Sequence, residues 1–386
     1  MNSDALLRLI GYWREVALQP GLRARKIVDS IDLKTKEVID IIGPRRSGKS
    51  SILKLLVQKI KNDGEWIYLN FEDPFFSENN KPEDVENLIN TYQATLGKEL
   101  KYLFFDEVQN IVEWERLVRK YRDAEKYKVF ITGSSSKLLS GELATLLTGR
   151  HLSYIVSPLS FNEYLQFKNI KAETEMELAM KENNLLNAFD QYLKYGGFPE
   201  VAINEDLNML KNYYLDIVQK DIFNRNNVRD RDTVEKMGIF LATNIANTVS
   251  IASLKKQYQI SYEAASAYLG YFKESLLFDD LPQFSYSLKF RQKAAKKIFS
   301  VDTGLAQAIS LSFSEDFGRV LENAVFSELR RRGGQLYYFK GLKSETDFVI
   351  KNQDESLQLI QVCWQIDDFK TKARELGGLR EAMRKF

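Results

Sequence analysis

The sequence is poor in the residues that form disulfides and histidine-based metal sites. It has one cysteine, Cys363, and one histidine, His151. These counts exclude an internal disulfide and a metal site built from clustered histidines, so any general base is expected to be a carboxylate. No apolar run approaches the roughly 20 residues of a membrane-spanning helix, and polar and charged residues interrupt the first ten positions. We therefore expect a cytoplasmic protein with no signal peptide and no membrane partner.

An excess of charge of one sign is also missing. The 55 Lys and Arg residues nearly balance the 53 Asp and Glu residues, which gives a net charge of +2. Nucleic-acid binding would therefore depend on local basic patches rather than on the overall charge. The chain has 386 residues, of which 44% are hydrophobic and 28% are charged. This composition is typical of a soluble globular protein, and the length predicts two or three domains.

The most informative stretch, Val38–Ile60, combines a glycine loop with a strand before it and a helix after it. Val38–Ile42 is typical of a buried strand, and apolar residues recur at helical spacing over Ile52–Ile60. Between them lies G-x-x-x-x-G-K-[ST], the P-loop pattern, whose backbone N–H groups point at phosphates. The basic segment Arg23–Lys26 can reach a nucleotide, but a solvated segment is expected there. The predicted nucleotide-binding residues of the loop are Gly43, Pro44, Arg45, Arg46, Ser47, Gly48, Lys49, Ser50 and Ser51.

Two acids after a second buried strand complete the predicted ATPase site. The apolar strand Tyr102–Phe105 is followed by Asp106 and Glu107, and acids at a buried strand end need a cation or a substrate to meet. Lys49 is expected to reach the β- and γ-phosphates, and Ser50 and Asp106 are expected to hold Mg²⁺. Glu107 is placed to orient and deprotonate the attacking water. The pattern therefore predicts hydrolysis of ATP, with Mg²⁺ as cofactor.

Two further residues are candidates for catalytic roles. In ATPases whose catalytic Glu follows the metal-binding Asp, the strand between the two motif strands ends in a polar residue that contacts the γ-phosphate or the water. After the predicted strand Val129–Thr132, that residue is Ser134, with Ser135 as the second choice. Arg150, at the start of the next strand, is expected to neutralise transition-state charge or else to cap a helix. Action of Arg150 across a subunit boundary would require a homo-oligomer.

Five motifs, in this order along the chain, resemble a known family. They are GPRRSGKS, FFDEVQN, ITGSSSKLLS, LTGR followed by SPLSFNEYL, and YGGFPEV. Together they are similar to the archaeal and bacterial AAA+-type ATPases related to the STAND signalling ATPases. The first three motifs are specific to P-loop ATPases generally, and the last two narrow the resemblance to this group. The likeness covers nearly the whole chain.

The resemblance implies an α/β protein with four parts. These are a parallel-sheet P-loop ATPase core, a helical lid, a winged helix and a C-terminal α/β domain of the restriction-endonuclease-like PD-(D/E)XK fold. The corresponding boundaries are 1–165, 166–228, 229–304 and 305–386. In the lid, the resemblance implies that Pro199 touches the adenine. Residue chemistry alone predicts only a tight turn between helices at Gly196–Pro199.

The middle region carries a winged-helix pattern of its own. Helices are predicted over 233–246, 250–258 and 261–272, and strands over 276–278 and 297–301. The stretch Ser285–Lys297, which leads into the second of these strands, has no acids and has two aromatic residues suited to stacking on bases, Tyr286 and Phe290. Its basic residues are the candidate DNA contacts: Lys289, Arg291, Lys293, Lys296 and Lys297. Winged helices also serve protein contacts, so DNA and protein partners both stay open.

The last segment carries part of the nuclease arrangement that the resemblance implies. Glu322 lies on the apolar face of a predicted helix, and Asp347 lies on the second of three predicted strands, 335–339, 346–350 and 357–364. A nuclease also needs an acid and a lysine two residues apart on the last strand, where this chain has Gln361 and Cys363. Gln binds Mg²⁺ poorly and a thiol cannot replace an ammonium. Unless a relocated lysine such as Lys340 restores the site, we expect a degenerate nuclease fold retained for binding or assembly.

The sequence therefore predicts a Mg²⁺-dependent ATPase that acts on DNA and whose accessory domains move with the nucleotide state. Two other interpretations stay open. One is a nucleotide-switched, STAND-like scaffold that acts through protein contacts, with hydrolysis as a slow reset. The other is an ATP-regulated DNA nuclease, which would require Mg²⁺-dependent cleavage by the C-terminal domain.

Overall fold

The structure is a computed structural model that describes residues 3–60, 64–133, 149–171, 174–311, 316–342 and 344–386. The chain divides into two compact units, Met1–Val156 and Ser157–Phe386. Within the described ranges, no helix is both long enough and apolar enough to cross a membrane. The finer boundaries of the lid, winged helix and C-terminal domain stay predictions.

The first unit is built around a parallel sheet, which confirms the predicted α/β core. Its strands are β1 (Val38–Ile42), β2 (Trp66–Asn70), β3 (Tyr102–Asp106), β4 (Lys128–Gly133) and β5 (His151–Ile155), in the order β2-β3-β4-β1-β5. The helices are α1 (Ser3–Leu18), α2 (Ile27–Ser30), α3 (Lys49–Ile60), α4 (Pro82–Leu96) and α5 (Trp114–Asp123), with 3₁₀ turns at Pro74–Ser77 and Val108–Asn110.

Strand β1 is buried on both faces, as expected of a central parallel strand. Ile39 and Ile41 belong to one apolar cluster, which includes residues of α3, and Val38 and Ile42 belong to another, which includes residues of α1 and α4. This alternation follows from the two-residue period of a strand. Covered on both sides, the sheet holds the loop after Ile42 in a fixed place.

Strand register brings the loop after β1 and the acids after β3 to the same edge of the sheet. Ile42 pairs with Gly133 at the end of β4, and Phe105 of β3 pairs with Ile131. The strands are parallel, so their carboxyl ends meet at this edge. Open α/β sheets bind ligands there.

Asp40 is a fully buried acid in the middle of β1. Ser153 donates a hydrogen bond of 2.6 Å to its carboxylate, and His151 Nδ1 lies 3.0 Å from the other carboxylate oxygen. Both partners stand on the neighbouring strand β5. These contacts satisfy Asp40 within the sheet, so we assign it a structural role.

The second unit is mostly helical and contains two small antiparallel sheets. Its helices are α6 (Phe161–Phe167), α7 (Glu175–Met180), α8 (Glu182–Tyr195), α9 (Pro199–Asn204), α10 (Leu207–Ile217), α11 (Arg231–Thr243), α12 (Ile251–Tyr258), α13 (Tyr262–Glu274), α14 (Leu288–Lys293), α15 (Thr303–Ile309), α16 (Phe317–Arg332) and α17 (Phe369–Lys385), with a π turn at Val218–Phe223. The strands are β6 (Thr248–Val249), β7 (Phe278–Leu281), β8 (Lys296–Ser300), β9 (Gln335–Lys340), β10 (Glu345–Lys351) and β11 (Leu357–Ile360). The sheet orders are β6-β8-β7 and β11-β10-β9.

Two segments of the second unit differ from the sequence prediction. The basic segment between β7 and β8 contains the short helix α14 rather than an open loop. Ser287 caps this helix by accepting a hydrogen bond of 3.3 Å from the Phe290 N–H. The last strand ends at Ile360, so Gln361 and Cys363 lie beyond the strand on which we placed them.

Close packing explains the two glycines of the YGGFPEV motif. The buried Asp302 carboxylate accepts hydrogen bonds from the N–H groups of Gly197, at 2.6 Å, and Leu305, at 2.9 Å. A Cβ atom on Gly196 would lie 2.0 Å from Asp302 Oδ1, and Gly196 has a φ of +75°. Burial raises the pKa of Asp302 to about 6, against the lowering effect of these N–H groups. Gly304, two residues beyond Asp302, also packs closely against the backbone of this turn.

Replacing Gly304 with alanine should lower the unfolding midpoint. A Cβ atom there would lie 2.3 Å from the Tyr195 carbonyl carbon and 2.7 Å from the Gly196 nitrogen, and overpacking of this kind costs about 1–3 kcal/mol. The matched control is Gly270→Ala in α13, where a Cβ atom meets nothing within 4 Å. Alanine there should stabilise the helix by up to about 1 kcal/mol. Equal midpoints for the two variants in thermal unfolding would contradict this packing.

Candidate functional site

The loop between β1 and α3 has the backbone shape that the P-loop pattern predicts. Gly48 has a φ of +100° and Arg46 a φ of +68°, so the chain turns sharply before α3 begins at Lys49. A Cβ atom on Gly43 would lie 2.3 Å from the Val156 carbonyl oxygen. Position 43 therefore requires glycine because the backbone of Val156 comes too close for a Cβ atom. Position 48 favours glycine because its φ is positive.

Side chains of this loop fit a phosphate ligand. The Lys49 ammonium is buried and donates to the carbonyl oxygens of Gly43, at 3.1 Å, and Pro44, at 3.2 Å. The Ser47 hydroxyl is buried and has no hydrogen-bond partner among the described residues, which is costly unless a ligand supplies one. Arg25 is also buried and donates to the Ser47 carbonyl oxygen at 3.0 Å. The expectation of a solvated segment at Arg25 was therefore wrong.

Asp106 ends β3 as a fully buried carboxylate held by hydroxyl groups. Tyr68 donates to Oδ2 at 2.6 Å and Thr132 donates to Oδ1 at 2.5 Å. Burial raises the pKa of Asp106, as does the charge of Glu107. Hydrogen bonds from Thr132, Tyr68 and Ser50 oppose that rise, because they favour the ionised form. The Ser50 hydroxyl is thus near enough to the Asp106 carboxylate to favour its ionised form, as residues that share a Mg²⁺ ion should be.

Glu107 follows in a left-handed conformation, with a φ of +53°. Such a conformation is uncommon for a residue other than glycine, and it persists where surrounding contacts enforce it. The Glu107 N–H donates to Thr132 Oγ1 at 2.9 Å, and Gln109 donates to the Glu107 carboxylate at 2.5 Å. Both contacts fix the direction of a largely buried carboxylate next to Asp106. This is the arrangement expected of a positioned general base.

Sequence reasoning missed Thr132 and Tyr68. Thr132 contacts both Asp106 and the backbone of Glu107, so one side chain links the metal-binding acid to the proposed base. Thr132 lies inside β4, whereas the sequence pattern points past the predicted strand end to Ser134. Its signal was a polar residue within a buried apolar run. Tyr68 gave less signal, because a tyrosine in a buried strand is usually part of the core.

The remaining predicted site residues of this region have mixed outcomes. Ser134 and Ser135 lie outside the described residues. Arg150 precedes β5, at the amino-terminal edge of the parallel sheet, and its guanidinium pairs with Asp123 at 2.8 Å. The P-loop lies at the opposite edge, so Arg150 does not reach the phosphate site of its own chain. Pro199 begins α9 in the second unit, and its contact with adenine stays a prediction.

A second polar site lies in the C-terminal part of the chain. A cavity of about 880 Å³ is lined by all four residues of the predicted nuclease remnant, Glu322, Asp347, Gln361 and Cys363. Gln361 accepts a hydrogen bond of 3.3 Å from the Asp347 N–H and donates one of 2.6 Å to Glu375. Across the described ranges, no three His, Cys, Asp or Glu side chains are arranged to hold a metal ion.

The predicted DNA contacts separate into buried and exposed groups. Lys297 is only 3% exposed and pairs with Glu322, so we remove it from that set. Lys296 pairs with Asp280 at 3.0 Å, and the half-buried Arg291 donates to the Tyr337 hydroxyl at 3.0 Å. The exposed lysines are Lys289 and Lys293. A buried or internally paired cation is less accessible to a phosphate, so these two are the stronger candidates.

Comparisons with known proteins agree with the geometry of the first unit. Residues 35–165 match the AAA domain family, and residues 186–316 match a domain family of unknown function. The uncharacterised protein MJ1544 of Methanocaldococcus jannaschii is 36% identical over 382 residues, covering 95% of this chain and 84% of that protein. An uncharacterised protein of Haemophilus influenzae is 31% identical over 351 residues, covering 88% and 85%.

Solved structures give a weaker likeness. The Aeropyrum pernix Orc1 protein in complex with DNA is 11% identical, with a TM-score of 0.31, over 80% of this chain and 92% of that one. The AAA match and the P-loop geometry together support nucleotide binding by the first unit.

Proposed function

Because the chain belongs to the same family as MJ1544 of Methanocaldococcus jannaschii and carries an AAA domain, we propose that it is an ATPase that hydrolyses ATP with Mg²⁺. One observation carries the proposal. Thr132 holds the buried Asp106 carboxylate and the backbone of Glu107 together, at the sheet edge where the P-loop begins. A phosphate cradle, a metal-binding acid and a positioned base are the parts that ATP hydrolysis requires.

Each part has a residue to supply it. Lys49 and the backbone N–H groups of the loop would bind the phosphates, and Ser50 and Asp106 would hold Mg²⁺. When bound, Mg²⁺ neutralises charge that develops on the phosphate oxygens. Glu107 would accept the proton of the attacking water, while Gln109 steadies its carboxylate. Ser134 is proposed to contact the γ-phosphate or the water.

Arg150 is proposed to act across a subunit boundary, since its own phosphate site lies at the other edge of the sheet. In a homo-oligomer, an arginine from a neighbouring subunit can stabilise transition-state charge on the transferred phosphoryl group. Such a role would require Arg150 to exchange its partner Asp123 for phosphate oxygens. Both partners are negatively charged and form charge-assisted hydrogen bonds with a guanidinium, so the exchange should change the interaction free energy of Arg150 little.

We further propose that the protein couples its nucleotide cycle to DNA through a winged helix. The second unit has the required order of elements, with helices α11, α12 and α13 followed by the antiparallel pair β7 and β8. The segment between those strands exposes Lys289 and Lys293 beside the exposed rings of Tyr286 and Phe290. Cations with neighbouring aromatic faces suit phosphates and bases.

A nucleotide-switched scaffold that acts through protein contacts is the second candidate. Helix α13 stands in the place of a recognition helix, yet its first turn carries Glu263 and the exposed Tyr262 rather than basic residues. A carboxylate there repels phosphates, whereas an exposed tyrosine suits a protein interface. The C-terminal domain is proposed to keep a nuclease-like fold without cleavage. Mg²⁺-dependent nicking abolished by Asp347→Ala would instead favour the ATP-regulated nuclease.

Replacing Glu107 with glutamine should separate chemistry from binding. ATP affinity should stay near wild type while turnover falls by about 10²–10⁴, the usual contribution of a positioned base. Lys49→Ala should instead lose nucleotide binding itself. Glu113→Gln is the matched control, because Glu113 also has a positive φ but is an exposed acid paired with Arg116. Steady-state phosphate release and binding of a fluorescent ATP analogue measure the two effects. Unchanged turnover in Glu107→Gln would remove this residue from the mechanism.

Removing the two exposed lysines should weaken DNA binding. The Lys289→Ala/Lys293→Ala variant should bind duplex or single-stranded DNA less tightly, and the slope of log K against log salt should fall by about 2. Lys34→Ala/Lys98→Ala removes the same charge from exposed positions of the first unit and serves as control. Equal losses in the two double variants, measured by salt titration of a gel shift, would show that only net charge matters. Absence of DNA binding by the wild type would favour the scaffold.

A further inference from the structure

The C-terminal cavity has a buried ion cluster at its wall that the sequence did not suggest. Lys297 Nζ lies 2.6 Å from Glu345 Oε1, 2.7 Å from Glu322 Oε1 and 3.3 Å from Asp347 Oδ1. The three carboxylates come from helix α16 and strand β10, while the lysine comes from β8 of the other small sheet. A single ammonium therefore lies at the meeting point of three acids.

Strand alternation explains how Lys297 reaches this position. Lys296 and Lys297 are consecutive residues of β8, so their side chains point to opposite faces. Lys296 pairs with Asp280 and is partly exposed, whereas Lys297 points inward and is 3% exposed. On β10, Glu345 and Asp347 are two residues apart and so share a face. The packing of β8, β10 and α16 against one another brings the opposite charges together.

The acids of the cluster face the cavity and the lysine does not. Glu322, Glu345 and Asp347 line the cavity, together with Lys340 at its rim. Lys297 is not among the described residues that line it. An ammonium that stabilises a phosphate transition state must face the substrate. Lys297 is therefore badly placed to replace the lysine of a nuclease, although it supplies positive charge at the site.

Electrostatics indicate that the ammonium stays charged. Burial would lower the pKa of Lys297, but the charges of Glu322, Glu345 and Asp347 raise it well above its usual range. Burial raises the pKa of Glu322 to about 8, and Lys297 acts against that rise. The negative charges of Asp347 and Glu345 add to the effect of burial on Glu322. Without it, three carboxylates in a poorly solvated site would repel one another.

We propose that the Lys297 ammonium occupies the place of a divalent cation in this carboxylate cluster, so that the native chain binds no Mg²⁺ there. With the ammonium between them, the three carboxylates are not arranged to hold a metal ion, although carboxylate oxygens are the ligands that Mg²⁺ and Mn²⁺ prefer. The ammonium already lies at their meeting point and excludes a second cation by repulsion. Lys297 thereby closes the site and joins β8 to α16 and β10. This proposal does not depend on ATP hydrolysis by the first unit.

Mn²⁺ binding to the nucleotide-free full chain tests the proposal. Electron paramagnetic resonance of free Mn²⁺ gives the number of ions bound. Lys297→Met should bind one Mn²⁺ per chain more than the wild type, and Lys297→Met/Asp347→Asn should lose it. Lys296→Met is the control, because it removes a cation from the same strand without touching the cluster. Mn²⁺ should also raise the unfolding midpoint of Lys297→Met, since a ligand stabilises the state that binds it.

Two results would overturn the proposal. One is a folded Lys297→Met variant that binds no more Mn²⁺ than the wild type. The other is a wild-type chain that loses a bound Mn²⁺ when Asp347→Asn is introduced, because the native site would then hold a metal. Should Lys297→Met and the uncharged polar variant Lys297→Gln both fail to fold, comparing Mn²⁺ binding by the wild type and by Asp347→Asn still tests the proposal. Equal Mn²⁺ binding by the wild type and Asp347→Asn supports the proposal that Lys297 closes the native site.

Discussion

The proposed ATPase site depends on keeping one fully buried carboxylate ionised. Asp106 lies at the end of a strand with no exposed surface, where an isolated charge would be strongly disfavoured. Hydroxyl groups of Tyr68 and Thr132 donate to its two oxygens, and the nearby Ser50 hydroxyl favours the same ionised form. Hydrogen bonds to a charged group are each worth about 1.5–3 kcal/mol. They make the buried anion tolerable before any metal binds.

Lys297 illustrates a different solution to the same problem. There the buried acids are neutralised by an ammonium from another sheet rather than by hydroxyl groups. A carboxylate that accepts hydrogen bonds from neutral donors keeps its full negative charge and can still attract a cation. The charge of a carboxylate paired with an ammonium is already largely neutralised. We therefore expect the site at Asp106 to bind Mg²⁺ and the carboxylate cluster around Lys297 to bind none.

Sequence reasoning recovered the features that depend on local order. The P-loop, its flanking strand and helix, and the acids after β3 are each encoded in a few consecutive residues, and the parallel α/β core is confirmed. The misses involve partners that are distant in the chain. Thr132 meets Asp106 across neighbouring strands, and Lys297 meets Asp347 across 50 residues. Lys297 is the last residue of a basic segment and the first of a predicted strand, so the sequence predicts a DNA contact, and only the fold shows that its side chain points inward.

The pH dependence of ATP turnover in Thr132→Val is the most direct test of the central claim. Mg²⁺ binds only ionised Asp106, so at a fixed, limiting Mg²⁺ concentration turnover falls as the pH drops and protons compete with the metal for that carboxylate. The Thr132 hydrogen bond lowers the pKa of Asp106 against the effect of burial, so valine should move the acidic midpoint of the profile to higher pH. Thr132→Ser keeps the hydroxyl and should restore the wild-type midpoint. A valine variant with an unshifted midpoint, or a serine variant shifted equally, would contradict the assignment of Asp106.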